Sequence, residues 1–189
     1  MVDLPELPPL DRFQNYLLLI ARANSDCYNG VPIDIHDLVQ QTLLKAQQNF
    51  EQFRGTTDGE LAGWLNTILV NQLTDQLRRA GRELDEQALA RRLEQSSVRF
   101  ERLLLAEQST PSQHAVQDER FQQLAKALMR LPDDQRQAIE LRHLRELPVA
   151  EIADRMQRTI PSVAGLLQRG IRRLREMMGQ PAEELEGLS

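Results

Sequence analysis

Residues 131–178, LPDDQRQAIELRHLRELPVAEIADRMQRTIPSVAGLLQRGIRRLREMM, constrain the fold of this chain more than any other stretch. They read as a helix-turn-helix whose last helix ends in an arginine cluster. Thr159 suits the N-cap, because its hydroxyl can accept an orphan amide at the helix start. Pro161 fits the first turn, where a missing N–H costs little. Val163, Leu166, Leu167, Gly170, Ile171, Leu174 and Met178 then recur with helical period. The opposite face carries Ser162, Ala164, Gly165, Gln168, Arg169, Arg172, Arg173 and Arg175, and Gly179 with Pro181 stops the helix. The preceding helix is short, Val149 to Met156, with Ile152, Ala153 and Met156 inward. Gln157 and Arg158 make a tight connection. Upstream, Pro132 opens a helix whose Asp133 and Asp134 suit its positive end, and Ala138, Ile139, Leu141 and Leu144 cover the pair. Two short helices joined this way fit the unit that lays its second helix in a DNA major groove. A plain helical bundle with a solvated basic face would show some of these features. The agreement of cap, turn, stripe and arginine face favours the DNA-binding unit over it.

Charge is uneven along the chain. The net charge is −5, which argues against a protein that simply coats nucleic acid. Residues 118–178 nevertheless hold 12 Lys and Arg against 9 Asp and Glu, whereas residues 10–82 hold 7 against 8. Glu183, Glu184 and Glu186 make an acidic tail. Arginine greatly outnumbers lysine. It is the better phosphate fork and base reader, although a GC-rich genome would produce the same bias. Cys27 is the single cysteine, and His36, His114 and His143 lack metal-ligand spacing, so no metal or other cofactor is expected. The longest apolar run, Tyr16 to Ala21, is too short for a membrane span, and no signal peptide precedes residue 10. A cytoplasmic chain is expected.

The remaining periodicity is helical. Asp11 to Ala23 reads as a helix with Phe13, Leu17 and Ile20 inward, followed by a loop at Asn29, Gly30 and Pro32. Asp34 opens a long helix to about Phe53, with Ile35, Leu38, Val39, Thr42, Leu43, Ala46 and Phe50 on its stripe. Residues 54–59 form a loop. A helix from Glu60 to about Arg79 follows, with Leu61, Trp64, Leu65, Ile68, Leu69, Leu73 and Leu77 apolar and Gly81 as its stop. Residues 83–117 read as a linker with one or two short helical pieces, broken at Gln108–Gln113. Phe121, Leu124, Ala125 and Leu128 mark a helix over 118–130. The expectation is an all-α chain: a helical domain over 1–82, a linker over 83–117, a helix-turn-helix domain over 118–178 and an acidic tail over 179–189.

The run Asp37-Leu-Val-Gln-Gln-Thr-Leu-Leu-Lys-Ala46, then Phe53-Arg-Gly55, Trp64-Leu65, Ile68, Asn71, Asp75 and Arg78-Arg79 resembles region 2 of bacterial RNA polymerase sigma factors of the extracytoplasmic-function (ECF) class. Residues 131–178 resemble region 4 of the same class. The two blocks stand in the family's order, with a linker between. The Ala164–Gly170 run and the Ser96-Ser-Val98 and Ser109-Thr-Pro-Ser-Gln113 segments are similar to a subgroup associated with Planctomycetes.

The resemblance implies a non-enzymatic initiation factor. It would bind core RNA polymerase, at the beta-prime clamp helices and the beta flap, together with promoter DNA and in some members an anti-sigma factor. Asp37, Gln40, Gln41 and Lys45 match the surface that docks on the clamp helices. Gln41 stands where the family usually has Glu, which removes a charge from that surface. Asn71 and the 55–60 loop match the groups that hold an unstacked base of the minus-ten element, and Arg78 and Arg79 would hold phosphates. Trp64 sits on the apolar stripe and is read as core rather than as a stacking platform. Aromatic residues are only 4% of the chain, which implies modest promoter-melting power. At the minus-thirty-five element, Thr159, Ser162, Gln168, Arg169, Arg172 and Arg173 would make the contacts, with Gln168 suited to adenine and Arg169 to guanine or phosphate. Many relatives carry Arg just after Val163, where this chain has Ala164. Residues 83–117 would thread the polymerase near the RNA exit path.

Enzymatic readings lack both a phosphate loop and a nucleophile-base pair. Two other readings exist. A helix-turn-helix regulator acting without polymerase would leave the first 82 residues unexplained. The other is a helical adaptor whose acidic first half binds protein only.

Overall fold

The computed structural model describes residues 10–28, 30–82, 85–106 and 114–179, and every regular element among them is helical. Asn29, the Gln108–Gln113 breaker, Pro181 and the acidic Glu183, Glu184 and Glu186 lie outside the described residues. The chain divides into two compact units, Met1–Ser97 and Val98–Ser189.

In the first unit a 3-10 turn, Leu10–Phe13, leads into α1 (Gln14–Ala23). The helix α2 spans Ile35–Gln48, and α3 spans Asp58–Arg79. Asp34 caps α2 by accepting from the His36 and Asp37 amides. This helix ends earlier than its periodicity predicts, because the Asn49 side-chain amide bonds the Lys45 carbonyl at 2.8 Å and a 3-10 turn, Phe50–Gln52, follows. The third helix begins two residues before Glu60. Thr57 and Glu60 form a reciprocal capping box, each satisfying the other's orphan amide. Gly81, at φ +70°, closes it: the Arg82 amide reaches the Leu77 carbonyl and the Gly81 amide the Arg78 carbonyl. Phe13, Tyr16, Leu17, Ile20, Leu38, Leu65, Leu69, Leu73 and Leu77 are fully buried between these helices. Each contributes about 1.5–3 kcal/mol through the apolar surface it removes from water.

The linker expectation needs correction. Residues 86–106 form one helix of 21 residues, α4. Its first half belongs to the first unit. Leu89, Leu93, Ser96 and Ser97 are buried there. The Ser97 hydroxyl meets the Tyr16 hydroxyl at 2.6 Å, the Asn24 amide donates to Ser96 Oγ at 3.0 Å, and Arg92 pairs with Asp26 at 3.1 Å. Charged neighbours mask an apolar stripe at helical spacing, which composition reads as a linker.

The second unit contains the rest of α4, then α5 (His114–Arg130), α6 (Asp133–Ile139), α7 (Val149–Met156) and α8 (Ile160–Met177). Phe100 meets Phe121 edge-on at 4.9 Å. A π-helical segment, Glu140–Leu144, extends α6, and the Arg145 amide returns to the Glu140 carbonyl. Leu141, Ile152, Ala153 and Val163 make the small core of the helix-turn-helix, with Leu147, Val149, Met156 and Leu167 packed against it. Two left-handed residues bracket α7: Glu146 and Gln157, both at φ 52°. Gln157 makes the sharp turn into α8. No described helix is long and apolar enough to cross a membrane, and no group of three potential metal ligands occurs among the described residues.

Candidate nucleic-acid interface

The start of α8 follows from three residues. Thr159 is extended and accepts from the Ser162 amide at 3.3 Å, and Pro161 occupies the first turn. Arg158, in the connection, pairs with Asp134 at the start of α6. Arg99 from α4 donates to the Leu144 carbonyl at 3.2 Å and pairs with Glu146 at 2.9 Å, which fixes the segment before α7. Val163, Leu166, Gly170 and Leu174 are buried, so the opposite face of α8 points outward. Thr159, Gln168, Arg169, Arg172 and Arg173 are all exposed on it, and Ser162 is half-buried. Gly170 is the point of closest approach to α6. A Cβ there would lie 2.7 Å from Ile139 Cδ1 and 3.4 Å from Gln135 Cβ. The glycine on the apolar stripe thus serves packing.

On α3, Asn71, Arg78 and Arg79 are exposed. Asn71 lines an open groove of about 450 Å³ with Thr74, Asp75, Arg78, Glu86 and Gln87. Arg78 Nε donates to Glu86 at 2.7 Å and its guanidinium lies 3.9 Å from Asp75. A phosphate would have to compete with these carboxylates for it.

The loop before α3 is ordered by Glu60, which accepts from the Thr56 amide at 2.8 Å and the Thr57 amide at 3.1 Å. These bonds, Thr56 first, hold the Glu60 carboxyl below the usual carboxylate range. Phe53 folds back over Gly55, where a Cβ would lie 2.5 Å from the ring, and the same ring stands 5.5 Å from Trp64 and 5.7 Å from Phe50. Trp64 is half-buried in this aromatic cluster. Arg12, from the opening turn, pairs with the buried Asp58 and anchors the helix start. Asn71 and the 55–60 loop are set apart along α3. Asp58 and Asn71 stand 13 positions apart, about 20 Å of helix, far more than a base. Glu60, Gly63, Thr67, Asn71 and Arg78 instead form one exposed strip along α3.

Asp37, Gln40, Gln41 and Lys45 are exposed on one face of α2. The Gln41 amide donates to Asp37 at 2.7 Å, and the Gln76 amide reaches Gln41 Oε1 at 3.5 Å. An amide at position 41 can donate to Asp37, whereas a carboxylate there could not. Sequence reasoning missed Leu44, which is 58% exposed at the centre of this face. Its signal was present: a leucine four residues after Gln40 and off the buried stripe.

Residues 10–83 match the family Sigma-70 region 2, and residues 121–174 match Sigma-70, region 4. Over 153 residues the chain is 31% identical to the ECF RNA polymerase sigma-E factor of Haemophilus influenzae, covering 80% of this chain and 76% of that protein. Against the ECF RNA polymerase sigma-E factors of Salmonella typhimurium and Escherichia coli, identity is 33% over 124 residues, 64% of this chain and 61% of each relative. The chain thus spans less than two thirds of these two relatives. A solved complex of the sigma factor RpoE with the anti-sigma factor NepR from Bartonella quintana aligns over 89% of this chain and 97% of that chain, at 24% identity and a TM-score of 0.35. Two matched regions, in order and each within its own unit, define a sigma-70-type factor. The chain belongs to the ECF class of RNA polymerase sigma factors.

Proposed function

We propose that this chain binds core RNA polymerase through the exposed face of α2 and directs it to promoters. The strip along α3 meets the minus-ten element and α8 the minus-thirty-five element. The observation that carries this reading is the separation of faces. In each matched region the apolar stripe is buried while the candidate contact residues lie outward on one side of a helix. Asp37, Gln40, Gln41 and Lys45 form the polymerase face, with Leu44 as its apolar centre. Thr159, Ser162, Gln168, Arg169, Arg172 and Arg173 form the upstream DNA face. Asn71 and Arg79 serve the downstream one, and Arg78 joins them if phosphate displaces Glu86. An anti-sigma factor would act by covering these same faces. The site of action is the cytoplasm, where the polymerase is.

The test is transcription from a promoter library with purified core enzyme, with and without the chain. Start sites that depend on the chain are expected. The free chain should bind duplex promoter DNA weakly, since its net charge is −5. Absence of any dependent start site, together with nanomolar sequence-specific binding by the free chain at physiological salt, would replace this reading with a regulator that works without polymerase.

A further inference from the structure

The outward side of α8 carries two ridges at i, i+4 spacing. One runs Ile160, Ala164, Gln168, Arg172, and all four are exposed. The other runs Pro161, Gly165, Arg169, Arg173. The N-terminal end of both ridges is apolar. Ile160 is 54% exposed, more than Val98 or Met177 of the same unit and an unusual state for an isoleucine. Pro161 and Ala164 are exposed beside it. On these two ridges polar groups begin at Gln168 and Arg169, and the Thr159 and Ser162 side chains flank the apolar end.

Gly165 explains where the first guanidinium goes. A Cβ on Gly165 would lie 3.0 Å from Arg169 Nη1 and 3.7 Å from its Cζ. The arginine therefore lies back along the helix, over the glycine and toward the apolar end. Helical side chains lean this way by default, and the missing Cβ clears the path. From Gln157 to Arg175 the chain has no acidic residue. The surface around the apolar tip therefore suits a polyanion rather than a basic or wholly apolar protein.

We propose that α8 reads thymine: Ile160, Pro161 and Ala164 form an apolar tip that packs against thymine 5-methyl groups in the major groove, while Gly165 lets Arg169 place its guanidinium beside that tip. This rests on α8 being the DNA-reading helix. In a helix-turn-helix the N-terminal residues of the second helix approach the base edges. Of the groups that the four bases present in the major groove, only the thymine methyl is apolar. An isoleucine side chain gains nothing from the amines, carbonyls and ring nitrogens of the other bases. Gln168, next along the first ridge, meets the following base pair, and Arg172 and Arg173 lie further back for phosphates.

The experiment uses holoenzyme assembled from core polymerase and the full chain. Selection from randomised duplex DNA first defines the upstream element. Binding is then compared on that element carrying thymine or deoxyuridine, which differ only in the methyl group. Each contacted thymine should weaken binding about three- to fivefold when replaced, the scale of one buried methyl. Ile160→Ala should bind the two DNAs almost equally. Because Ile160 is exposed, this variant keeps its fold, checked by circular dichroism and core binding. Gly165→Ala should weaken the preference at the base next to the thymines, since the Arg169 guanidinium must then give way by a few tenths of an ångström. An element without thymine, equal binding of both DNAs by the unaltered chain, or methyl discrimination that survives in Ile160→Ala would each overturn the proposal and leave α8 as a DNA reader. If no upstream element is enriched, the assignment of α8 to DNA fails and thymine reading falls with it.

Discussion

His143 sits within the π-helical segment between α6 and α7. Burial, and then the neighbouring Arg142, lower its pKa from the ordinary 6.5. The sign of the pH effect follows. The unfolded chain takes up a proton near the ordinary value, and the folded chain resists it until a lower pH. Between the two values the unfolded state binds more protons, so stability falls as the pH falls. Above the ordinary value no such loss occurs. Thermal melting of the second unit should therefore shift downward between about pH 7.5 and about pH 5.5, and His143→Gln should remove part of that shift. An unchanged pH profile in the variant would place the dependence elsewhere. No sequence pattern marked this histidine, which has no partner at metal spacing and no motif. Its environment comes from packing. The same holds for Arg78: the sequence shows an exposed arginine, and only the fold brings Glu86 to it. By contrast, the exposure of Gln168, Arg169, Arg172 and Arg173 follows directly from their phase against Val163, Leu166 and Leu174.

Elements with strong end signals were legible. Thr159 and Pro161 set the start of α8, Asp34 that of α2, and Gly81 the end of α3, because each acts through its own local bonds. Two elements were misread for physical reasons. The start of α3 depends on a reciprocal bond between Thr57 and Glu60, and a T-x-x-E pattern was there to find. The apolar stripe of α4 is sparse, completed by serines whose partners, Tyr16 and Asn24, lie more than 70 residues away. Helix contact itself makes the next prediction. Gly170 lets α8 approach α6, and Ile139 is fully buried where an added methyl would fall. Gly170→Ala gains about 1 kcal/mol of helix propensity but incurs about 1–3 kcal/mol of overpacking, so the net effect is a loss of stability. Ile139→Val removes the Cδ1 atom that collides. Alone it should cost about 0.5–1.5 kcal/mol. The double variant should cost less than the two single losses together, measured by chemical denaturation. Simple additivity would show that the contact at position 170 does not limit packing.

At the scale of the molecule, one domain must serve two large partners at once, and it can do so only if they use different helices. In the first unit the proposed arrangement gives the polar face of α2 to the polymerase and the outward strip of α3 to DNA. Asp37→Arg should abolish association with core polymerase, because it reverses a charge at the proposed docking face and breaks the bond from Gln41. Loss of one partner of an interfacial charge pair costs about 2–5 kcal/mol, and like charges cost more. Asp37 also lies in the first turn of α2, where an acidic residue favours the helix. Circular dichroism and thermal melting must show α2 intact before the loss is assigned to docking. Asn71→Ala should leave core binding unchanged and reduce promoter opening, since its side chain is exposed and the groove it lines is built from α3 and α4. The pair discriminates by pattern rather than by size. Loss of core binding in Asn71→Ala, with retention in Asp37→Arg, would exchange the two surfaces. Both variants failing at core binding while folded would mean that the polymerase covers α3 as well as α2, leaving α8 as the main reader of DNA.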